Sequence, residues 1–196
     1  MNKQIDISLV VPPARASSLR PPIGLMHIAS CLREKNLNPS IIDIKSRESK
    51  SIVLSKILDR IKKEHPKMVG ISCMSSDYSD TIKLAKGVKN LSKKTTVIVG
   101  GIHATLFPNH FFNKENIVDY VVMGEGENSC PELVKSLIEG SSFDKIPGVG
   151  FINKDGEIVT KPAHSIKDLN NLPFLAYDLV DMDFYTEVNE WIIRGI

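Results

Sequence analysis

The chain has 196 residues, enough for one full domain and a small appendage, and its 42% hydrophobic and 24% charged content suits a soluble globular fold. A net charge of +2 favours neither a nucleic-acid platform nor an acidic tail. No apolar run approaches the roughly 20 residues that span a bilayer, and the opening MNKQID has no signal-peptide core.

In chain order, an apolar run over Ile5–Val11 reads as a strand that stops at Pro12-Pro13. A loop without glycine leads to Pro21-Pro22 and Gly24, and Leu25, Ile28, Ala29 and Leu32 then mark one helix face. A second strand over Ser40–Ile44 is followed by a helix with Leu54, Ile57, Leu58 and Ile61 on one side. A third, Met68–Ser72, precedes a helix with Leu84, Ala85, Val88 and Leu91 aligned. The fourth strand, Thr96–Gly101, leaves only Ala104–His110 for a short helix before a fifth over Val118–Gly124. Cys130, Leu133, Val134 and Leu137 give the last helix face. Short, β-branched, nearly unbroken apolar strands are those covered on both sides. Their alternation with helices predicts an α/β, doubly wound, five-stranded parallel sheet, flavodoxin-like with order 2-1-3-4-5.

Beyond Gly140 the texture changes. Pro147–Pro162 contains two short strands around Lys154-Asp155-Gly156, a hairpin signal. From Asn170 to Ile196 the chain is rich in Pro, Asp and aromatics, holds the sole tryptophan, Trp191, and reads as a linker. A binding domain is therefore expected over residues 1–140, with hairpin and linker over 141–196.

Ligands of such sheets sit beyond the strand C-termini near the switch in strand order. Those ends carry Pro12-Pro13, Ser72-Cys73-Met74, Gly100-Gly101 and Gly124-Glu125-Gly126, mostly small residues that admit a ligand close to the backbone. The GEGENS segment, Gly124–Ser129, matches neither phosphate-loop fingerprint, and Glu125 and Glu127 would repel a phosphate. Glu127 either serves a ligand or complements the dipole of the following helix, and Asp77 and Asp80 do the latter for the third helix. His103 is placed to donate to a ligand, or else to cap or pack beside the short helix. No histidine has spaced metal partners, and neither Cys73 nor any serine has an activating base nearby. No catalytic or metal-ligating residue is expected. The separated cysteines Cys31, Cys73 and Cys130 suit reduced thiols of a cytoplasmic protein.

These residues resemble a known family. PP…RPPIGLMHIASCL (Pro12–Leu32), VGISCMSSD (Val69–Asp77), VIVGGIHAT (Val97–Thr105), VDYVVMGEGENSCPELVKSL (Val118–Leu137), IPGVGF (Ile146–Phe151) and DLNNLPFLAYDL (Asp168–Leu179) occur in the order seen in one group. The chain resembles the N-terminal cobalamin-binding domain of cobalamin-dependent radical S-adenosylmethionine enzymes, the group with the anaerobic magnesium-protoporphyrin ester cyclases. The resemblance implies that Ser72 and Met74 border the nucleotide tail of cobalamin and that Gly100-Gly101 let its ring lie against backbone. It implies that the Gly124 to Glu127 loop, with Glu125 and Gly126, closes over the sugar-phosphate end. It also implies that the corrin rests on the Pro12–Gly24 loop, with Pro12, Pro13, Pro22 and Gly24 as a stiff apolar shelf.

Two departures matter. Cobalamin domains of the methionine synthase type carry D-x-H-x-x-G in the first loop, whose histidine ligates cobalt. The loop here has neither Asp nor His, Asp43-Ile44-Lys45 follows the wrong strand, and His27 falls inside the first helix. Cobalamin is thus expected base-off without a histidine ligand. Family members also read on to R-G-C and a C-x-x-x-C-x-x-C loop holding a [4Fe–4S] cluster; Arg194-Gly195 is followed here by Ile196. A front module cut from a longer enzyme is expected, its radical S-adenosylmethionine domain in cis or in trans supplying the cluster and S-adenosylmethionine. The competing readings are an interaction domain that has lost its ligand and a flavin or nucleotide binder; the latter has only Ser17 and Ser18 to offer a phosphate.

Overall fold

The computed structural model describes residues 4–13, 20–46, 48–112 and 115–186. Ser17, Ser18, Trp191 and the Arg194–Ile196 terminus lie outside them. The elements run β1 (Ile7–Val10), α1 (Ile23–Glu34), β2 (Pro39–Ile42), α2 (Lys50–Glu64), β3 (Met68–Ser72), α3 (Tyr78–Leu91), β4 (Thr96–Gly100), α4 (Ile102–Leu106), β5 (Tyr120–Val122) and α5 (Gly126–Glu139). A hairpin of β6 (Val149–Ile152) and β7 (Ile158–Thr160) follows.

Among the described residues one sheet has the order β2-β1-β3-β4-β5-β6-β7. Its first five strands pair in parallel in the expected 2-1-3-4-5 order. The hairpin differs from expectation in joining the same sheet, antiparallel to β5, so the sheet is mixed and seven-stranded. The cause is visible in burial: Val149 and Phe151 sink beside Val122 into the core on one face, and β6 satisfies the backbone edge that β5 would otherwise present.

Period-two alternation sends successive strand residues to opposite layers. Val10, Ile71, Val97 and Val99 pack under α2 and α3 through Val53, Ile57, Leu84 and Val88. Ile7, Leu9, Ile98 and Val122 pack under α1 and α5 through Met26, Leu32, Leu133 and Val134. Leu91, aligned with the buried face of α3 by sequence, is 43% exposed because the helix ends there as the chain turns outward.

A strap, residues 172–185, leaves the hairpin side and crosses α1. Ser30 donates to the Phe174 carbonyl at 2.6 Å, and Arg33 grips Asp178 with two hydrogen bonds of 2.8 and 2.6 Å. Ala176 is buried against α1, and the Tyr185 hydroxyl donates to Asp43 just past β2.

Candidate functional site

A crevice of about 460 Å³ opens at the C-terminal ends of the central strands, between the starts of α1 and α5. Register explains its floor. Leu9 stands beside Gly70 and Gly70 beside Ile98, while one row further Ser72 pairs with Gly100. Gly70, Ser72 and Gly100 thus line the middle of the sheet with small residues, flanked by Leu9 and Val11 on one side and Ile98 and Val122 on the other. Ile28 of α1 and Cys130 of α5 close the inner walls.

The two adjacent glycines of β4 differ. A Cβ on Gly100 would meet only Val122, 3.5 Å from its carbonyl oxygen and 3.9 Å from its Cβ, an ordinary van der Waals contact that the site accepts. Gly101 has φ +95°, and a Cβ there would stand 2.8 Å from the Cys73 carbonyl oxygen. That conformation brings the loop after β3 against the start of α4, where Cys73 donates to Gly100 O and His103 N donates to Cys73 O.

On the β5 side, the Gly124 N–H donates to Thr105 Oγ1 at 2.9 Å, and Glu125 accepts from the Ile166 N–H. This turn is therefore braced from behind by residues 163–166, and the Glu125 carboxylate is already engaged.

Of the residues singled out by sequence, Pro12, Pro22, Gly24, Ser72, Met74, Gly100, Gly101, Gly124, Glu125 and Gly126 all line this crevice. Pro13 is buried but lines none of it. His103 also lies elsewhere. It is 7% exposed, with Nδ1 3.0 Å from Ser75 Oγ and Nε2 3.3 Å from His110 Nδ1, among Tyr78, Phe107 and Phe111. Burial, then the neighbouring His110, holds its pKa below the ordinary imidazole value. Gly101 is the last residue of this segment to line the crevice, and the start of α4 carries His103 into the aromatic cluster.

Gly70, Ile98, Lys45 and Asp77 line the crevice without having been singled out for it. A glycine inside a strand, two residues before Ser72 and so on the same face, was the available signal for the first. The cysteines are poor nucleophiles: burial raises Cys73, pushes Cys31 up to about 11 and Cys130 up to about 12. No trio of metal-ligating side chains occurs among the described residues, and none of their helices is long and apolar enough to cross a membrane. A second hollow of about 610 Å³ lies beside edge strand β2, between α2 and the strap. It is larger, but it is off the switch in strand order, where the helices on the two faces part and leave the strand ends open.

Fold and crevice define a doubly wound α/β ligand-binding domain. Residues 14–134 match the B12 binding domain family, and the chain belongs to it. It is 33% identical over 190 residues to an uncharacterised methyltransferase of Pyrococcus horikoshii, covering 93% of this chain and 40% of that protein. It is 26% identical over 168 residues to the anaerobic magnesium-protoporphyrin IX monomethyl ester cyclase of Synechocystis, covering 85% and 33%. The chain thus spans less than half the length of these relatives. Among solved structures it resembles the cobalamin-dependent S-adenosylmethionine radical enzyme OxsB with aqua-cobalamin and S-adenosylmethionine bound, with a TM-score of 0.79 at 16% identity over 94% of this chain and 25% of that one. The radical S-adenosylmethionine methyltransferase TsrM from Kitasatospora setae aligns with a TM-score of 0.64 at 21% identity, over 80% and 30%. At these identities the likeness is one of fold.

The residues fit the group this family binds. Gly24 has open space around it, and Gly100 has no would-be neighbour nearer than 3.5 Å, so both leave backbone accessible to a flat ring. Leu9, Ile98, Val122 and Ile28 give an apolar lining, and Ser72, Arg20 and Lys45 offer donors toward the mouth.

Proposed function

We propose that this chain binds cobalamin, inserting its nucleotide tail into the crevice over Gly70, Ser72 and Gly100 and seating the corrin on the shelf from Pro12 to Gly24. The observation that carries this reading is the run of small residues at the switch in strand order, in a chain of the B12 binding domain family. Apolar walls and the narrow floor take the base out of water, and burying a planar aromatic of this size favours binding by several kcal/mol on area alone. Pro21 and Pro22, with no amide donors, keep the mouth stiff without competing for polar groups of the macrocycle.

The cofactor is held base-off with no histidine on cobalt. Residues 11–26 contain no histidine, and no histidine lines the crevice among the described residues. When bound, cobalamin supplies methyl transfer or electron transfer at cobalt. This chain contributes binding and orientation: Ser72 and the exposed Met74 edge the tail, and the braced Gly124–Gly126 turn closes one side. Residues 141–196 act as hairpin and linker toward a radical S-adenosylmethionine domain, in cis or in trans, that would carry the [4Fe–4S] cluster and S-adenosylmethionine. The descriptions of OxsB and TsrM as radical S-adenosylmethionine enzymes, and the greater lengths of the relatives, support that placement.

The test is anaerobic titration with hydroxocobalamin, desalting, and an absorption spectrum of the protein fraction. Retained corrinoid with a base-off spectrum is expected. A base-on spectrum overturns the missing-ligand reading, and a colourless protein fraction at about 100 μM overturns cobalamin binding itself.

A further inference from the structure

At the C-terminal end of β2, Asp43, Lys45 and Tyr185 form a cluster that the fold's two cores do not require. The Asp43 side chain is only 4% exposed, and its Oδ2 accepts from the Tyr185 hydroxyl. Its Oδ1 lies 3.0 Å from Lys45 Nζ, an ion-pair distance, yet this buried oxygen has no aligned hydrogen bond. The two are therefore an ion pair held by charge, and an ammonium has three N–H donors, more than Asp43 alone can take up. Lys45 is itself 12% exposed, and it lines both the crevice and the hollow beside β2.

Charge across the crevice is uneven. Lys45 and Arg20 stand on the β1–β2 side, whereas Asp77, Glu125 and Glu127 stand on the β3–β5 side. An anion entering between them is repelled from one flank and drawn to the other. A largely buried ammonium with donor capacity beyond one carboxylate makes the stronger kind of hydrogen bond to a phosphate oxygen.

We propose that Lys45 is the phosphate-binding residue of the crevice, meeting the phosphodiester of the cobalamin tail, with Asp43 and Tyr185 as positioning residues. The assignment rests on the cobalamin reading but departs from the placement the resemblance implies: the anion of the tail points toward β2, not toward the Gly124–Glu127 turn that the resemblance sets over the sugar-phosphate end. It also makes the strap part of the site, since Tyr185 is contributed from 142 positions beyond Asp43.

Calorimetric titration with α-ribazole and α-ribazole phosphate, the tail fragment without and with its anion, tests this. The unaltered chain should bind the phosphate form about tenfold more tightly at low salt, with the preference shrinking as salt rises. Lys45→Arg should keep the preference. The double variant Asp43→Asn/Lys45→Gln removes both charges together, so no buried carboxylate is left alone; it should lose the preference, binding the two fragments alike. If the fragments bind too weakly to titrate, hydroxocobalamin affinity at low and high salt gives the same comparison, salt-sensitive in the unaltered chain and insensitive in the double variant. No phosphate preference in the unaltered chain, or one that survives in the double variant, overturns the assignment. Corrinoid retained without a Lys45-dependent phosphate effect sinks this assignment alone. A phosphate preference in a chain that retains no corrinoid instead overturns the cobalamin reading.

Discussion

Gly100 and Gly101 are neighbours with opposite tolerances, and alanine at each gives a matched pair. At Gly101, φ +95° with ψ −175° is a backbone region essentially confined to glycine and costs a side-chain-bearing residue about 1–3 kcal/mol. Its Cβ would lie 2.8 Å from Cys73 O and 2.9 Å from Cys73 N, both backbone atoms. Those atoms make the 2.8 Å bond to Gly100 O and the 3.1 Å bond from His103 N, so moving them loses at least one hydrogen bond of about 1 kcal/mol. Gly101→Ala should therefore cost about 2–4 kcal/mol, a fall in Tm of about 5–15 °C for a domain of this size. At Gly100 the added methyl meets only an ordinary 3.5 Å contact, and the stiffer unfolded chain offsets it, so Gly100→Ala should stay within about 1 kcal/mol of the parent. Urea unfolding, read as midpoint shifts at a common m-value, separates the two. Equal costs at both positions would refute the account of this turn.

Three further outcomes are expected. Gly100→Trp, checked for folding by urea unfolding, should lose at least tenfold in cobalamin retention after desalting, because the indole occupies the crevice that Gly100 lines; undiminished retention would move the tail elsewhere. Cys31, Cys73 and Cys130 should resist iodoacetamide at pH 8 in the folded chain, their thiols raised by burial, and all three should react in denaturant, as counted by intact mass. The depressed pKa of His103 means the folded chain resists a proton that the unfolded chain accepts. Stability is thus full above the ordinary imidazole value of 6.5 and is lost as pH falls below it. His103→Gln should flatten that part of the stability profile, and an unchanged acid slope would assign it to another group.

The five parallel strands are legible because Ile7, Val69, Val97 and their neighbours must serve two covered faces, which leaves unbroken apolar runs. That the hairpin completes the same sheet is not legible. GFINKDGEIVT predicts a hairpin locally, but pairing β6 with β5 depends on the bare edge that β5 presents in three dimensions. At the crevice, glycines at strand ends point to the right place because their meaning is backbone access. His103 misleads for the converse reason: it stands two residues past Gly101, which lines the crevice, while the start of α4 places its ring in the Tyr78–Phe111 cluster. Lys45 could not be read as a site residue from sequence, since its role depends on Asp43 and on a tyrosine 142 positions past Asp43.

The strap also sets an order of events during synthesis. The seven strands found among the described residues end by Thr160, so the sheet can close before Phe174, Asp178 and Tyr185 leave the ribosome. The Arg33–Asp178 clasp spans 145 positions, and its closure entropy grows only with the logarithm of that span, so late docking is thermodynamically cheap. Until it happens, Ser30 and Arg33 on α1 stay wet and Asp43 lacks its tyrosine. A nascent chain of this protein thus has a finished sheet before it has a finished pocket.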